Sequence, residues 1–372
     1  MNLTTLTSAL HSLAPLDLAA DWDNVGWIVE PPASARVARV LVALDLTDAV
    51  LADALASKAS VVVAYHPPVF SGLKRLVESD PVGRRVLACA RAGIGVYSPH
   101  TALDAVDGGI NDWLADGLGE GSRSVLDATR ALASTEQVKV VVFVPESHLD
   151  ELRDALADAG AGHIGAYTHC SFAIPGTGSF FGTDSTNPVV GKKGRLEFAP
   201  EVRLEMVASE ASLPAIAAAL RANHPYEEPA WEVVRLVSKP SLRTGQGRLV
   251  TLAKPTSMNT LVALVKARLG VKSVHVAAVA RSAKSAITTI ALCAGAGGSV
   301  LEHVRADVLL TGEMRHHDAL AAVARGSSVI VAGHAETERP YLPEFAKILQ
   351  GKLGRTVRVR VASSDRGPFT TA

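Results

Sequence analysis

Two runs of the chain, RVLVALDLT (Arg39 to Thr47) and SVVVAYH (Ser60 to His66), are apolar at almost every position and rich in β-branched residues. A strand with one wet face alternates apolar with polar residues. A run this continuous is a strand covered on both faces, which implies a mainly parallel sheet packed between helices. Parallel neighbours need a long crossover, and the Ala-rich stretch from Ala49 to Lys58 reads as that helix. The rhythm extends both ways. Leu3, Leu6, Leu10 and Leu13 recur at helical spacing, so an amphipathic helix opens the chain. Pro81 to Ala92 reads as a helix, IGVYSPHTALD carries a third short strand, and Gly108 to Leu118 is again helical. Strand and helix in alternation define the α/β class.

The pattern changes at Gln137. QVKVVVFVP is a strand, Glu146 to Ala159 a helix, and Tyr167 to Ile174 a strand leading into the glycine-rich PGTGSFFGTDSTNPVVGKKG. VRLEMVAS, Leu213 to Ala222 and PAWEVVRLV then give strand, helix, strand. That is the order of a ferredoxin-like unit, inserted as a compact domain of roughly 100 residues. Ser238 to Gly247 reads as its exit linker. From Arg248 the α/β rhythm resumes, with strands at VHVAAVA (Val274 to Ala280), AITTIALCA, ADVLLTGE and SSVIVAG. Helices follow at Thr256 to Leu269, Ser299 to Arg305, His317 to Ala324 and Glu336 to Leu349. A chain of 372 residues exceeds one ordinary core. The expected plan is a first α/β lobe over 1–128, the insert over 129–240, and a second α/β lobe over 241–372.

Lys plus Arg and Asp plus Glu both total 37, so net charge gives nucleic-acid binding no support. Cys89, Cys170 and Cys293 are far apart and form no CxxC pair. They read as reduced, buried thiols of an intracellular protein rather than a thiolate zinc site. The first basic residue is Arg36 and no apolar run is long enough for a bilayer, so the expected location is cytoplasmic.

Polar residues stand where four of these buried strands end. They are His66; His100 and Asp104 in HTALD; Glu313, His316 and His317 in TGEMRHHDAL; and His334 and Glu338 in GHAETERP. Functional sites of open α/β sheets gather beyond the carboxyl ends of strands. His334 and Glu338, four apart at a helix start, stack on one face. Imidazole with carboxylate and no cysteine suits zinc, iron or manganese in a catalytic-type site with open positions. Glu338 or Glu313, if not ligating, can act as general base. His316 and His317 are adjacent and diverge on a helix; one orients a ligand or phosphate, or both solvate the helix start. PGTGSFFG lacks the lysine of a P-loop and reads as a turn loop or, less directly, a phosphate cradle. HPYEEPAW (His224 to Trp231) is either a binding segment at an oligomer seam or a rigid helix-to-strand turn. WDNVGW (Trp22 to Trp27) either brings Asp23 or Asn24 to the site or buries two tryptophans.

In this order, DWDNVGW, VALDLT, YHPPVF, YSPHTALDA, TGEMRHHDAL and GHAETERP resemble the NIF-three-like family, whose bacterial relatives are labelled GTP cyclohydrolase 1 type 2 homologs. FAIPGTGSFFG and HPYEEPAWE resemble the inserted domain of its longer members, which is similar to PII and CutA folds. The resemblance implies a two-lobed α/β/α fold with that insert, assembled as a toroidal homohexamer. It also implies a dinuclear site between the lobes, with ligands His66, Asp104, His334 and Glu338 and with His100 close by. One position departs. Many bacterial members carry two consecutive histidines where this chain has Tyr65 and His66. A phenol, with a pKa near ~10, is a poor ligand unless a metal lowers it. Tyr65 either ligates or forms a hydrogen-bonding wall, and it decides between one divalent ion and two. The resemblance is to the eukaryotic-type subgroup, which shares the tyrosine and is linked to transcriptional partners and to cytoplasmic and nuclear locations. The functional expectation is a metal-dependent hydrolase of a small phosphorylated or nucleotide-like substrate. The alternative is a non-catalytic oligomeric regulatory or partner-binding protein with a structural or sensory metal. No residues define a guanine pocket, so cyclohydrolase activity is not expected.

Overall fold

The apolar runs form parallel strands. Arg39–Ala43, Val61–Ala64 and Gly95–Ser98 pair in parallel, and Arg358–Val361 joins beside Arg39–Ala43 in the same sense. Gly26–Val29 closes the other edge antiparallel. The final strand was not expected from sequence: RVRV alternates charge with valine and gives no buried-strand signal. WDNVGW turns out to lead into the Gly26–Val29 edge strand, and it buries only one tryptophan partly, because Trp22 remains 64% exposed.

A second sheet runs in the order His275–Ala277, Ser328–Val331, Val308–Thr311, Ile287–Cys293, Lys239–Thr256 and Gly121–Ala131. Its three middle apolar strands, Ser328–Val331, Val308–Thr311 and Ile287–Cys293, are parallel. The computed structural model describes residues 1–131, 134–279 and 286–369; Ala280, the last residue of the VHVAAVA run, lies outside them. The stretch read as an exit linker, Ser238 to Gly247, is a correction: it forms the first half of the long strand Lys239–Thr256. Its glycines misled, since Gly245 and Gly247 lie inside the strand at φ +152° and +62°. Either Cβ would strike neighbouring backbone, Asp127 O at 2.2 Å and Leu292 O at 2.8 Å.

Period-two alternation sends side chains to two different cores. Val40, Val42, Leu44, Val61, Val63 and Tyr65 enter a core shared with the second sheet's Ile290, Leu292, Val308, Leu310 and Ile330. Leu41, Ala43, Val62 and Ala64 face the other way, onto the helices Asp48–Ala56 and Pro81–Arg91. Helices Leu3–Leu13, Met258–Leu269 and Leu342–Leu353 contribute to the shared core. These two sheets belong to one compact unit, Met1–Thr129 with Ser241–Ala372.

The other unit, Arg130–Pro240, is a four-stranded antiparallel sheet. Its order is Phe172–Phe181, Leu196–Ala208, Val138–Val144 and Trp231–Arg235. In chain order within the unit this is 2-3-1-4, the ferredoxin-like arrangement, with helices Leu149–Asp158 and Leu213–Asn223 packed on one face. PGTGSFF is a second correction. It is not a loop but most of the edge strand Phe172–Phe181, where Pro175 is tolerated because an edge strand has one unpaired side. The reversal comes later, between Gly182 and Arg195. His224 supports the rigid-turn reading of its motif. It caps the helix Leu213–Asn223, its Nε2 donates to Phe143 O at 2.9 Å, and its Nδ1 accepts from Tyr226 N at 3.1 Å.

One buried charge ties the first unit together. Arg248, 1% exposed, makes two 2.8 Å hydrogen bonds to the Asp112 carboxylate on helix Ile110–Asp116, and donates to the carbonyls of Gly245, Gly247 and Val106. Removing one partner of such a pair leaves a buried charge uncompensated. Arg248→Met is expected to cost about 3–5 kcal/mol, read as a lowered urea midpoint of the full chain. A loss below ~1 kcal/mol would contradict this account of the arginine.

Candidate metal centre

Four of the parallel strands deliver a polar side chain just past their carboxyl ends. Val61–Ala64 is followed by Tyr65 and His66, whose backbone N–H groups still bond Ala43 O and Leu44 O at 2.9 and 3.0 Å. Arg39–Ala43 is followed by Asp45, Val308–Thr311 by Glu313, and Ser328–Val331 by the short helix His334–Glu338. That helix begins at Gly333, at φ +94°, a conformation strained for any residue with a Cβ. Across from it, Gly295 at φ +62° comes so close that a Cβ would stand 2.3 Å from Glu338 Oε1. Glycine there is what leaves room for the carboxylate.

Donor atoms of His66, His334 and Glu338 all lie within 4.8 Å of one another. His66 Nε2 is 3.2 Å from Glu338 Oε2, and His334 Nε2 is 3.3 Å from Glu338 Oε1. The outer nitrogens are held separately, His66 Nδ1 at 2.9 Å from Asp45 Oδ1 and His334 Nδ1 at 3.3 Å from Glu313 Oε1. A carboxylate on Nδ1 fixes that proton and turns the Nε2 lone pair inward, the usual arrangement behind a metal-ligating histidine. Glu338 is only 5% exposed, yet its Oε2, though 3.2 Å from His66 Nε2, has no hydrogen-bond partner. A buried carboxylate oxygen left this way demands a partner. The donor set and the orphaned oxygen fit a divalent cation.

The electrostatics agree. Burial works against charge on His66, but Asp45 and Glu338 outweigh it and raise its pKa to about 10. His334 is raised too, by its contact with Glu338 and the charges of Glu338 and Glu313. Burial opposes charge on Glu338 and Asp45, but the imidazoles hold both carboxyls below their usual range, with Arg339 helping at Asp45. The pocket attracts positive charge.

The sequence-derived residues divide around this centre. His66, His334 and Glu338 come together; Asp104 and His100 stand beside them. Asp104 accepts the Tyr65 hydroxyl. Burial first, then the charges of Asp104 and Glu338, push the Tyr65 phenol well above its usual range. Burial also lifts Asp104 to about 7. With no metal bound, Tyr65 is therefore a neutral donor to Asp104. His100, at φ +26°, has Nδ1 2.7 Å from Asp23 Oδ1, and its ring centroid is 5.3 Å from that of His66. Asp23 also accepts from Thr101 N and Oγ1 at 3.1 and 2.5 Å, so WDNVGW does bring its aspartate to the site. Asn24 instead donates to Val69 O. His316 and His317 are exposed at the start of helix His316–Ala324, with their rings 5.4 Å apart. Sequence reasoning assigned nothing to Asp45, Gly295 or Asp365. Asp45 was detectable, as a carboxylate ending a buried run just as His66 does. Asp365, which accepts Leu44 N at 2.8 Å and faces Arg339 at 3.3 Å, carried no local signal.

Residues 1–368 match the model of the family Duf34/NIF3 (NGG1p interacting factor 3). The chain is similar to the GTP cyclohydrolase 1 type 2 homolog of Bacillus subtilis, 33% identical with 100% of this chain and 98% of that protein covered. It is similar to NIF3-like protein 1 of Bos taurus, 32% identical over 99% and 92%. Among solved structures it resembles the Bacillus cereus protein related to NIF3, with TM-score 0.70 and 32% identity, covering 100% and 99%.

A metal ion can take the two Nε2 atoms only by displacing the protons they carry toward Glu338, while the Nδ1 protons stay with Asp45 and Glu313. Zinc binding at about pH 6 is expected to release about two protons and to tighten as pH rises toward the raised imidazole values. Calorimetry in two buffers of different ionisation enthalpy measures the release; no release would remove the histidines from the ligand set.

Proposed function

The chain belongs to the Duf34/NIF3 family, and from that premise and the donor set of its strand ends we propose a divalent-metal protein, a metal-dependent hydrolase of a small nucleotide-like or phosphorylated substrate. The observation that carries the reading is Glu338: a buried carboxylate with one unpartnered oxygen, faced by two inward imidazole nitrogens. Zinc, iron or manganese fits that mixture of nitrogen and oxygen donors. When bound, the ion supplies Lewis acidity, polarising a phosphoryl or carbonyl oxygen and acidifying water. Asp45 and Glu313 hold the two imidazoles in register. With Glu338 engaged as a ligand, the general-base role falls to Glu313, 61% exposed and 3.3 Å from His334 Nδ1.

Support for a nucleobase comes from the rim. Trp22 and Phe70 are 64% and 55% exposed, 5.8 Å apart between ring centroids, and both lie near His100, at 6.1 and 6.3 Å. Two large exposed aromatics beside a polar centre offer a stacking surface, worth about 1–3 kcal/mol per base. No group here defines guanine.

Protein stripped of metal, then reloaded with zinc, manganese or iron, is expected to hydrolyse members of a nucleotide and phosphoester panel. His334→Ala and Glu338→Ala are expected to lose both metal and turnover. A fully loaded protein that turns over nothing would overturn the enzymatic reading. On the active substrate, Trp22→Ala is expected to raise KM about tenfold or more with kcat little changed. Because the Tyr65 hydroxyl engages Asp104, the loaded protein is expected to hold a single ion per chain. Tyr65→His should admit a second, counted by elemental analysis.

A further inference from the structure

Two segments conspicuous in the sequence, PGTGSFFG and HPYEEPAW, have no part in the metal centre. In the inserted unit they meet. Gly178 to Gly182, Tyr226 to Glu228 and Ala230 line one cavity of about 420 Å³, together with Phe143 and Pro188 to Val190. The glycine is required: a Cβ at Gly178 would stand 2.3 Å from Glu201 Oε2, so its absence lets that carboxylate lie across the strand. The covering loop is pinned to the second segment, since Asn187 N donates to Glu227 Oε1 at 2.9 Å. The volume is in the range of small-ligand pockets.

The lining has a definite chemistry. Phe143, Phe180 and Tyr226 supply aromatic faces. Glu201, Glu227 and Glu228 supply every formal charge, and among the described residues no Lys, Arg or His lines the cavity. Arg203 stacks over Phe143, 5.5 Å from its centroid, and is paired with Glu205 at 2.8 Å, a carboxylate it shares with Lys139, and with Glu232 at 3.9 Å. Glu201 has no ion pair among the described residues, and the buried Tyr226 hydroxyl has no hydrogen-bond partner. Burial, with Glu201 close by, pushes that phenol up to about 12, so it stays a neutral group able to give or take a hydrogen bond. Aromatic faces beside unpaired carboxylates attract a cation carried on an apolar body.

We propose that this cavity binds a small organic cation, an amine or guanidine attached to a flat apolar body, with its charge on Glu201 and the Tyr226 hydroxyl and its body between Phe143 and Phe180. The proposal does not depend on the metal centre.

The test is calorimetric titration of the full-length protein with tryptamine, tryptophol and indoleacetate, which share a ring system and differ in charge. Tryptamine is expected to bind at least about tenfold more tightly than neutral tryptophol, and indoleacetate not to bind. Glu201→Gln is expected to abolish the preference for the amine while tryptophol binding is unchanged. Tyr226→Phe, which keeps the ring and the fold, is expected to weaken tryptamine several-fold. Equal binding of all three probes, or a preference unaltered by Glu201→Gln, would overturn the proposal. So would no binding of any probe, including the case where a second copy of the chain fills the cavity.

Discussion

The first unit is organised around a carboxylate that cannot stand alone. Glu338 is nearly buried, and an unpaired ion in that position costs several kcal/mol. Two imidazoles offset the cost, but only if both are aimed and charged. Asp45 and Glu313 do the aiming through the outer ring nitrogens. These groups come from four separate segments, and they can meet only because parallel strands of two sheets end at the same side of a shared core. The glycine at 295 follows from the same demand, since any side chain there would occupy the space of the carboxylate. The charge that stabilises the metal-free protein is a proton, and the ligand field that would hold a metal is the same field.

Tyr65 sets the boundary of that field. Its position is fixed by alternation: Val61 and Val63 face the shared core, so Tyr65 must follow them inward. Burial keeps it a phenol, and a phenol beside Asp104 donates to it. A histidine in the same place would present a lone pair instead. The residue at this one inward-facing position thus decides what Asp104 meets in the metal-free chain.

The elements legible in the sequence were those whose physics is local. The buried parallel strands, the helices between them and the strand-end histidines all followed from continuous apolar runs and helical spacing. His334 and Glu338 were readable because four residues along a helix is a short-range geometry. Three things were not legible. RVRV near the C-terminus is a strand only because Arg39–Ala43 has an open edge for it. Ser238 to Gly247 has the composition of a linker, and its glycines serve close backbone approach inside a strand instead. Asp104 is a ligand in what the resemblance implies, and the hydroxyl that it accepts, thirty-nine residues away on Tyr65, left no trace in its local sequence. Each miss is a long-range contact overruling a local pattern.

Part of the cost left unpaid in this fold falls at the two candidate sites. Among the described residues, five buried side-chain atoms lack a hydrogen bond: Arg85 Nε, Tyr97 Oη, Tyr226 Oη, Glu338 Oε2 and Arg339 Nε. Glu338 belongs to the metal centre, Arg339 follows it and lies 3.9 Å from Asp45, and Tyr226 lines the cavity of the inserted unit. Nothing in the structure explains Arg85 or Tyr97. Leaving a buried polar atom unpaired costs about 1–3 kcal/mol, and His100, at φ +26°, adds strained backbone beside the metal centre. A chain whose other local choices agree with its fold concentrates these costs where a bound group would remove them. An orphaned atom at each proposed site is what its bound group would satisfy, a divalent metal ion among imidazoles and carboxylates at the one and an organic cation among rings and carboxylates at the other.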